Sequence, residues 1–329
     1  MRVIATEEHI VTPDVIAAWR KLDPRWQDVG FHDSTSGAPG AALLAMSEQR
    51  IAAMDEAGID VSVLSLTTPG VQNLEAGDAV RLQTQVNDLL AETVRAQPDR
   101  FQALATLATP DPQAAAKELE RAVTTLGLNG AMVFGRTRDR NMDDPAYWPI
   151  YEAAAAMRVP LYLHPQSARL EVCAALYEGF DPDVSRLFAI SGIGWHYEAG
   201  VQAIRLILSG VLDRFPDLQI ILGHWGEVML FYLERLDLLA KAARLPRTFQ
   251  QYARDQFHVG PSGLFSQRYM RWATEVIGID RILFSTDYPF GGRDAGEVRR
   301  FLAEAPFSDD DRAKVAGGNW DRIVAGIRR

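Results

Sequence analysis

The chain has 329 residues, 47% of them hydrophobic and 23% charged, with a formal net charge of -9 and a pI near 5.2. That length suits two ordinary domains or one large core, and with no Lys/Arg block present, nucleic acid and anionic membranes are not expected as partners. A single cysteine, Cys173, excludes an internal disulfide and a cysteine-rich metal site, and no apolar run or leader-like segment argues against a cytoplasmic protein.

In chain order, Arg2 to His9 reads as a strand whose end carries Glu7 and His9 on one face, with Glu8 pointing away. The stretch from there to about Leu43 reads as a loop-like cap with a short helix around Val15–Leu22. Ser47 resembles an N-cap for a helix through Ile51 and Met54 that ends at Gly58. Val61–Leu66 is strand-like, Gly77–Ala96 helical, Phe101–Leu107 a strand, and Asp111-Pro112 opens a helix that stops at Gly127. Gly130–Phe134 is a strand, Pro145–Met157 a helix, and Pro160–His164 a strand, followed by a less regular stretch to about Gly194. His196–Asp213 is helical, with Val201, Ile204 and Leu208 along one side. Leu218–Gly223 is a strand running into His224, and Glu227–Ala243 is the helix after it. Gln256–Val259 is a short strand, Ser266–Val276 a helix and Arg281–Thr286 a strand ending at Asp287. Helices around Glu297–Glu304, Ser308–Val315 and Trp320–Ile327 complete the chain.

Strand then helix thus recurs about eight times, and several strands are unbroken apolar runs, as parallel strands covered by helices require. The expected fold is α/β, a single-domain TIM-type (β/α)8 barrel over residues 1–329 with an N-terminal cap and additional C-terminal helices. Neither a G-x-G-x-x-G after a strand nor a G-x-x-x-x-G-K-[ST] loop is present, which lowers a nucleotide-binding reading.

Polar residues fall where such a barrel needs them. Glu7 and His9 end the first strand, His164 the fifth, His224 follows the sixth and Asp287 the eighth. Parallel barrel strands open all these ends on one face. Each residue alone has an ordinary explanation, such as a turn cap or an acidic helix start, but their joint placement points to a functional site. His258 lies inside its strand and suits a supporting or structural role, while His196 opens a helix next to the irregular stretch. His32 has no evident partner.

Glu7-x-His9, Leu163-His164-Pro165, Gly223-His224-Trp225-Gly226-Glu227 and Phe284-Ser285-Thr286-Asp287-Tyr288-Pro289-Phe290 together resemble the amidohydrolase superfamily. Within it they are most similar to the metal-dependent decarboxylases of the γ-resorcylate and 2,3-dihydroxybenzoate type, a branch that also holds 5-carboxyvanillate and aminocarboxymuconate semialdehyde decarboxylases. The likeness covers nearly the whole chain. It departs in the cap from Val11 to about Gly40 and in the Gln166–Gly194 stretch, both of which shape the substrate pocket in that family.

The resemblance implies one divalent ion, Zn2+ or Mn2+, held by Glu7, His9, His164 and Asp287. It implies a proton-donating role for Asp287 and an acid–base or substrate-holding pair in His224 and Glu227, with Arg235 steadying Glu227 and Phe290 lining the ring pocket. Two carboxylates with two histidines make a moderately hard donor set that suits either ion. The implied reaction is non-oxidative decarboxylation of a small hydroxybenzoate-like acid to a phenol and CO2, by a homodimer or homotetramer. Hydrolysis of a lactone, ester or amide on the same barrel is the alternative, and a catalytically silent scaffold is disfavoured by the intact ligand set.

Overall fold

Among the residues described by the computed structural model (1–46, 48–290 and 295–329), parallel strands occupy the positions that the apolar runs mark. They are β1 (Ile4–Ile10), β2 (Val61–Leu66), β3 in two pieces (Phe101–Ala103 and Ala105–Thr106), β4 (Ala131–Phe134), β5 (Pro160–His164), β6 (Gln219–Leu222) and β7 (Phe257–Val259). Each pairs in parallel with the next, and the break within β3 divides the ladder into two sheets.

Residues 282–288 complete the ring as bridges rather than as a continuous strand. Ile282 bridges Val259 and Tyr288 bridges Glu8. Leu283 N donates to Val259 O at 2.8 Å and Thr6 N to Phe284 O at 2.9 Å, so the segment touches β7 on one side and β1 on the other. The architecture is the (β/α)8 barrel that the strand–helix alternation anticipates.

Two layers of apolar side chains explain the unbroken runs. Ile4, Val61, Val63, Leu104, Met132, Tyr162, Ile221 and Leu283 fill the barrel interior, while a larger cluster lies between strands and helices. Burying one such aliphatic side chain contributes about 1.5–3 kcal/mol. Trp320, on the helix Asn319–Ala325, joins the interior cluster at the floor and donates its indole N–H to Gln102 Oε1 at 2.7 Å.

The surface connections are more helical than their sequence suggests. The cap contains helices at Pro13–Trp19, Phe31–Thr35 and Gly37–Leu44, the first capped by Thr12 with Pro13 at its start. The 166–194 stretch contains Leu170–Leu176 and Pro182–Leu187, then a kinked turn over Phe188–Gly192. These pieces have eight residues or fewer, too short for a 3.6-residue repeat to stand out. Phe249–Gln256, closed by a capping box between Thr248 and Gln251, is a further helix not anticipated. The helix expected from Glu227 starts later, as a 3-10 turn at Leu230–Tyr232 that runs into an α-helix at Leu233–Ala243, because the backbone from His224 to Glu227 is left-handed. The expected N-cap Ser47 lies outside the described residues.

Candidate active site

β1 delivers Glu7 and His9 to the mouth of the barrel, and both side chains are fully buried. Glu8, on the opposite side of the strand, accepts hydrogen bonds from Thr286 N at 3.0 Å and Thr286 Oγ1 at 2.8 Å. His164 ends β5, and Asp287 lies within the closing segment at φ 59, with its N–H donating to Glu7 O at 3.0 Å. One donor atom from each of Glu7, His9, His164 and Asp287 lies within 4.8 Å of all the others.

Three of the atoms facing that common point have no hydrogen-bond partner among the described residues. His164 Nε2 lies 3.2 Å from Glu7 Oε1, yet Glu7 Oε1, His9 Nε2 and His164 Nε2 are buried without hydrogen-bond geometry to any group. Leaving three buried polar atoms unsatisfied costs about 1–3 kcal/mol each, so their convergence fits a cation bound among them. Two imidazole nitrogens and two carboxylates in this arrangement suit a borderline or hard divalent ion.

Neighbouring groups aim these donors. Tyr162, two residues before His164 and therefore on the same face of β5, donates its hydroxyl to Glu7 Oε2 at 2.6 Å. Ser262 Oγ also donates to Glu7 Oε2, so the remaining oxygen, Oε1, is the one left for a metal. Gly223 permits this approach, since a Cβ there would stand 2.5 Å from Ser262 Oγ and 3.0 Å from Glu7 Oε2. His164 Nδ1 lies 2.9 Å from Thr68 Oγ1 and 2.8 Å from Pro165 O, which leaves Nε2 facing the cluster. None of these supporting residues was singled out by the sequence reading. The spacing of Tyr162 from His164 was the available signal.

A second cluster borders the first. After β6, His224, Trp225 and Glu227 have φ values of 46, 60 and 55, and Gly226 has 83. Such a run costs energy at each non-glycine residue and persists only where its surroundings hold it. Here Trp225 N donates to Gly260 O and the Trp225 indole N–H to Leu264 O, both at 2.8 Å. The resulting turn folds Glu227 back onto His224, with His224 Nδ1 3.0 Å from Glu227 Oε1. The other carboxylate oxygen, Glu227 Oε2, lies 2.7 Å from His196 Nδ1. His224 Nε2 in turn stands 3.7 Å from Asp287 Oδ2, which joins the two clusters.

The electrostatics follow this geometry. Burial alone would raise the Glu227 carboxyl, but the adjacent His224 and His196 outweigh it and bring it down to about 2. Burial would lower His224, yet the Glu227 carboxylate prevails and the imidazole is held well above its ordinary value. Burial would raise the Asp287 carboxyl, but the adjacent His224 and His9 imidazoles outweigh it and hold it below the usual carboxylate range. Glu227 is therefore an anion between two imidazoles at neutral pH.

Two expected residues lie elsewhere. Arg235 is exposed on Leu233–Ala243 and does not steady Glu227, whose side-chain partners are the two histidines. The helix begins too late to bring Arg235 to that carboxylate. His258 lies far from the mouth, inside the strand β7, where its Nε2 lies 3.2 Å from Arg281 Nη1. It belongs to the barrel floor. Phe290 does reach the site, with its ring centroid 6.0 Å from that of His9. A pocket of about 330 Å3 opens beside the second cluster, walled by His196, His224 and Glu227 together with Trp225, Phe231 and Tyr269. His32 is bonded to the nearby Ser36, and Cys173 is buried.

Known proteins resemble this chain along nearly its whole length. The amidohydrolase family profile matches residues 37–323. A γ-resorcylate decarboxylase of Polaromonas sp. (strain JS666 / ATCC BAA-500) is 35% identical over 337 residues, which span 97% of each chain. Among solved structures, 5-carboxyvanillate decarboxylase from Sphingomonas paucimobilis superposes with a TM-score of 0.89 at 35% identity, covering 99% of both chains. A dihydroxybenzoic acid decarboxylase from Polaromonas sp. JS666, with bound manganese and the inhibitor 2-nitroresorcinol, gives 0.83 at 33% identity over 98% of this chain and 97% of its own.

Proposed function

The chain belongs to the amidohydrolase family, and from that premise we propose that it is a metal-dependent, non-oxidative decarboxylase of a hydroxybenzoate-like aromatic acid. The observation that carries this reading is the convergence of three orphaned donor atoms, on Glu7, His9 and His164, beside Asp287 and the His224–Glu227 pair. The decarboxylases that the chain resembles act on aromatic acids carrying a hydroxyl group, and the solved Polaromonas relative holds manganese. No helix among the described residues is long and apolar enough to cross a membrane.

Glu7, His9, His164 and Asp287 are the residues that would hold the divalent ion, Mn2+ or Zn2+. An ion held there would supply positive charge and Lewis acidity that offset the negative charge of an aromatic carboxylate substrate. Asp287 takes up the phenolic proton and passes it to the ring carbon that bears the carboxylate. The dearomatised ring then loses CO2 and recovers its aromaticity. His224, charged and 3.7 Å from Asp287, stabilises negative charge on that carboxylate or on a substrate oxygen. Glu227 fixes the orientation of His224 through Nδ1, leaving Nε2 toward the reacting groups. Phe290 supplies an apolar wall against the ring.

Homodimer or homotetramer assembly accompanies this reading. It is supported by the exposed Leu176, Phe180, Val184 and Leu187 on the surface helices between β5 and β6, and light scattering of the purified protein measures it directly. The activity is tested by incubating Mn2+- or Zn2+-loaded protein with 2,6- and 2,3-dihydroxybenzoate, salicylate and 5-carboxyvanillate. Stoichiometric release of CO2 and phenol is expected from at least one of them. Silence with all four, alongside turnover in a lactone panel followed by pH-stat, would replace decarboxylation with hydrolysis.

A further inference from the structure

A buried strand needs a partner for each of its backbone carbonyls. Where β1 meets the closing segment, Thr6 N donates to Phe284 O at 2.9 Å, Asp287 N to Glu7 O at 3.0 Å and His9 N to Tyr288 O at 2.8 Å. The next rung would bring Phe290 N to His9 O, but Phe290 N turns back to Asp287 O at 2.8 Å. The carbonyl of His9 is thus left without a ladder donor from the closing segment, at the residue that must aim an imidazole into the metal cluster.

Arg50 supplies that donor. It lies on the helix Glu48–Ala57, is buried, and its Nη2 donates to His9 O at 2.6 Å. Its guanidinium also lies over the ring of Tyr288, 4.7 Å from the centroid, so it touches the residue that follows Asp287 as well. The rest of the fork reaches the cap, with Nε donating to Ala45 O at 3.0 Å and Nη2 to Ala42 O at 3.3 Å, at the end of the helix Gly37–Leu44. Arg50 and Glu8 line a cavity of about 140 Å3, on the face of β1 opposite Glu7 and His9. Taking a guanidinium out of water is costly, and packing a helix on a strand needs only an apolar side chain. What arginine adds at this position is a planar fork of donors that holds several carbonyls at once.

We propose that Arg50 is a positioning residue for the metal centre, fixing through His9 O and the Tyr288 ring the backbone that aims His9 and Asp287, and tying that backbone to the cap. The proposal rests on the metal-binding part of the decarboxylase reading. Arg50 acts from behind the strand, through the main chain of the ligands. The other two ligands are aimed through their side chains, Glu7 by Tyr162 and Ser262 and His164 by Thr68. The His9 ring has a weaker hold of that kind, with Nδ1 3.4 Å from Ser65 Oγ. Support through its carbonyl therefore matters most for His9.

The experiment measures the Kd for Mn2+ by chelator competition, and Tm with and without Mn2+, in the wild type, Arg50→Lys and Arg50→Met. Lysine keeps the charge without the fork, and methionine keeps only the apolar bulk. Both variants should bind Mn2+ about 10- to 100-fold more weakly than the wild type. Mn2+ should also raise their Tm by less, because the stabilisation a ligand gives grows with its concentration relative to Kd. Arg100→Gln is the comparison for a purely structural clamp. Arg100 holds the other end of the same helix, with Nη2 donating to Asp55 Oδ1 at 2.7 Å and Nε to Asp60 O at 3.0 Å, at the floor of the barrel. That variant should lower Tm equally with and without Mn2+ and leave Kd unchanged. Wild-type Kd and a wild-type Mn2+-induced rise in Arg50→Lys would overturn the proposal, and this variant decides if Arg50→Met does not fold. An equal loss of affinity in Arg100→Gln would overturn it too, by reducing Arg50 to general stability. Failure of the wild type itself to bind Mn2+ or Zn2+ would instead overturn the metal-binding reading on which Arg50 stands.

Discussion

The two halves of the active site are built in opposite ways. The metal half stands on strand ends and the segment that closes the barrel, and its donors point at one another with atoms that nothing in the protein satisfies. The acid–base half stands on a left-handed turn and the start of a helix, and His196, Glu227 and His224 satisfy one another. The first is incomplete without a cation and the second is complete without one. Loss of metal should therefore disable the enzyme entirely, whereas damage to the acid–base half should slow it and leave the metal in place.

The largest effect tests the first half. Chelation of the metal should abolish CO2 release and lower the melting temperature, with both restored by Mn2+ or Zn2+. Glu7→Gln should weaken metal binding and activity together, as read by metal content and turnover; full metal and full activity in that variant would contradict the assignment. The next effect tests the second half. Glu227→Gln removes the anion between two imidazoles and should lower kcat by about 10²–10⁴-fold. Its metal content should stay at the wild-type level, and a parallel loss of metal would erase the distinction between the halves.

A smaller effect probes the support behind the metal. Tyr162→Phe removes one of two hydroxyls that occupy Glu7 Oε2 and should weaken metal affinity by about 10–100-fold in a chelator competition. Unaltered affinity would mean that Ser262 alone orients Glu7.

The smallest effect comes from a histidine that belongs to neither half. Burial, then the nearby Arg281 and Arg322 charges, push His258 down to about 3. In the unfolded chain the same group takes its proton near pH 6.5, so the unfolded state binds more protons as the pH falls between those values. This part of the stability is complete above the unfolded value and is lost as the pH drops toward the folded one. His258→Gln should flatten the fall in melting temperature between neutral and acid pH while CO2 release at neutral pH stays unchanged. A marked loss of activity would move His258 from the barrel floor into the site.

The contrast between the halves also marks what could be read without coordinates. Glu7, His9, His164, His224 and Asp287 were legible as a joint site because each sits at the end of an apolar run, and a barrel topology sends all such ends to one face; the resemblance then marked Glu7, His9, His164 and Asp287 as the implied ligands. Tyr162 was within reach by the two-residue period of its strand, but Ser262, Thr68 and His196 were not tied to their partners by any period. Arg235 was tied to Glu227 by the family resemblance alone; in the structure the four left-handed residues from His224 fold Glu227 onto the histidines, and Arg235 lies exposed on the helix from Leu233.

By itself the sequence determined the strand–helix alternation, the barrel and the polar strand ends Glu7, His9, His164, His224 and Asp287, because local periodicity and chain order decide which residues end strands; the choice of four of them as metal ligands came from the family resemblance. Tertiary structure decided which oxygen of Glu7 remains free, that His196 rather than Arg235 holds Glu227, and that His258 lies in the floor. Those outcomes depend on ångström-scale approaches between residues far apart in the chain, such as Ser262 to Glu7 across Gly223, and no sequence period encodes such a distance.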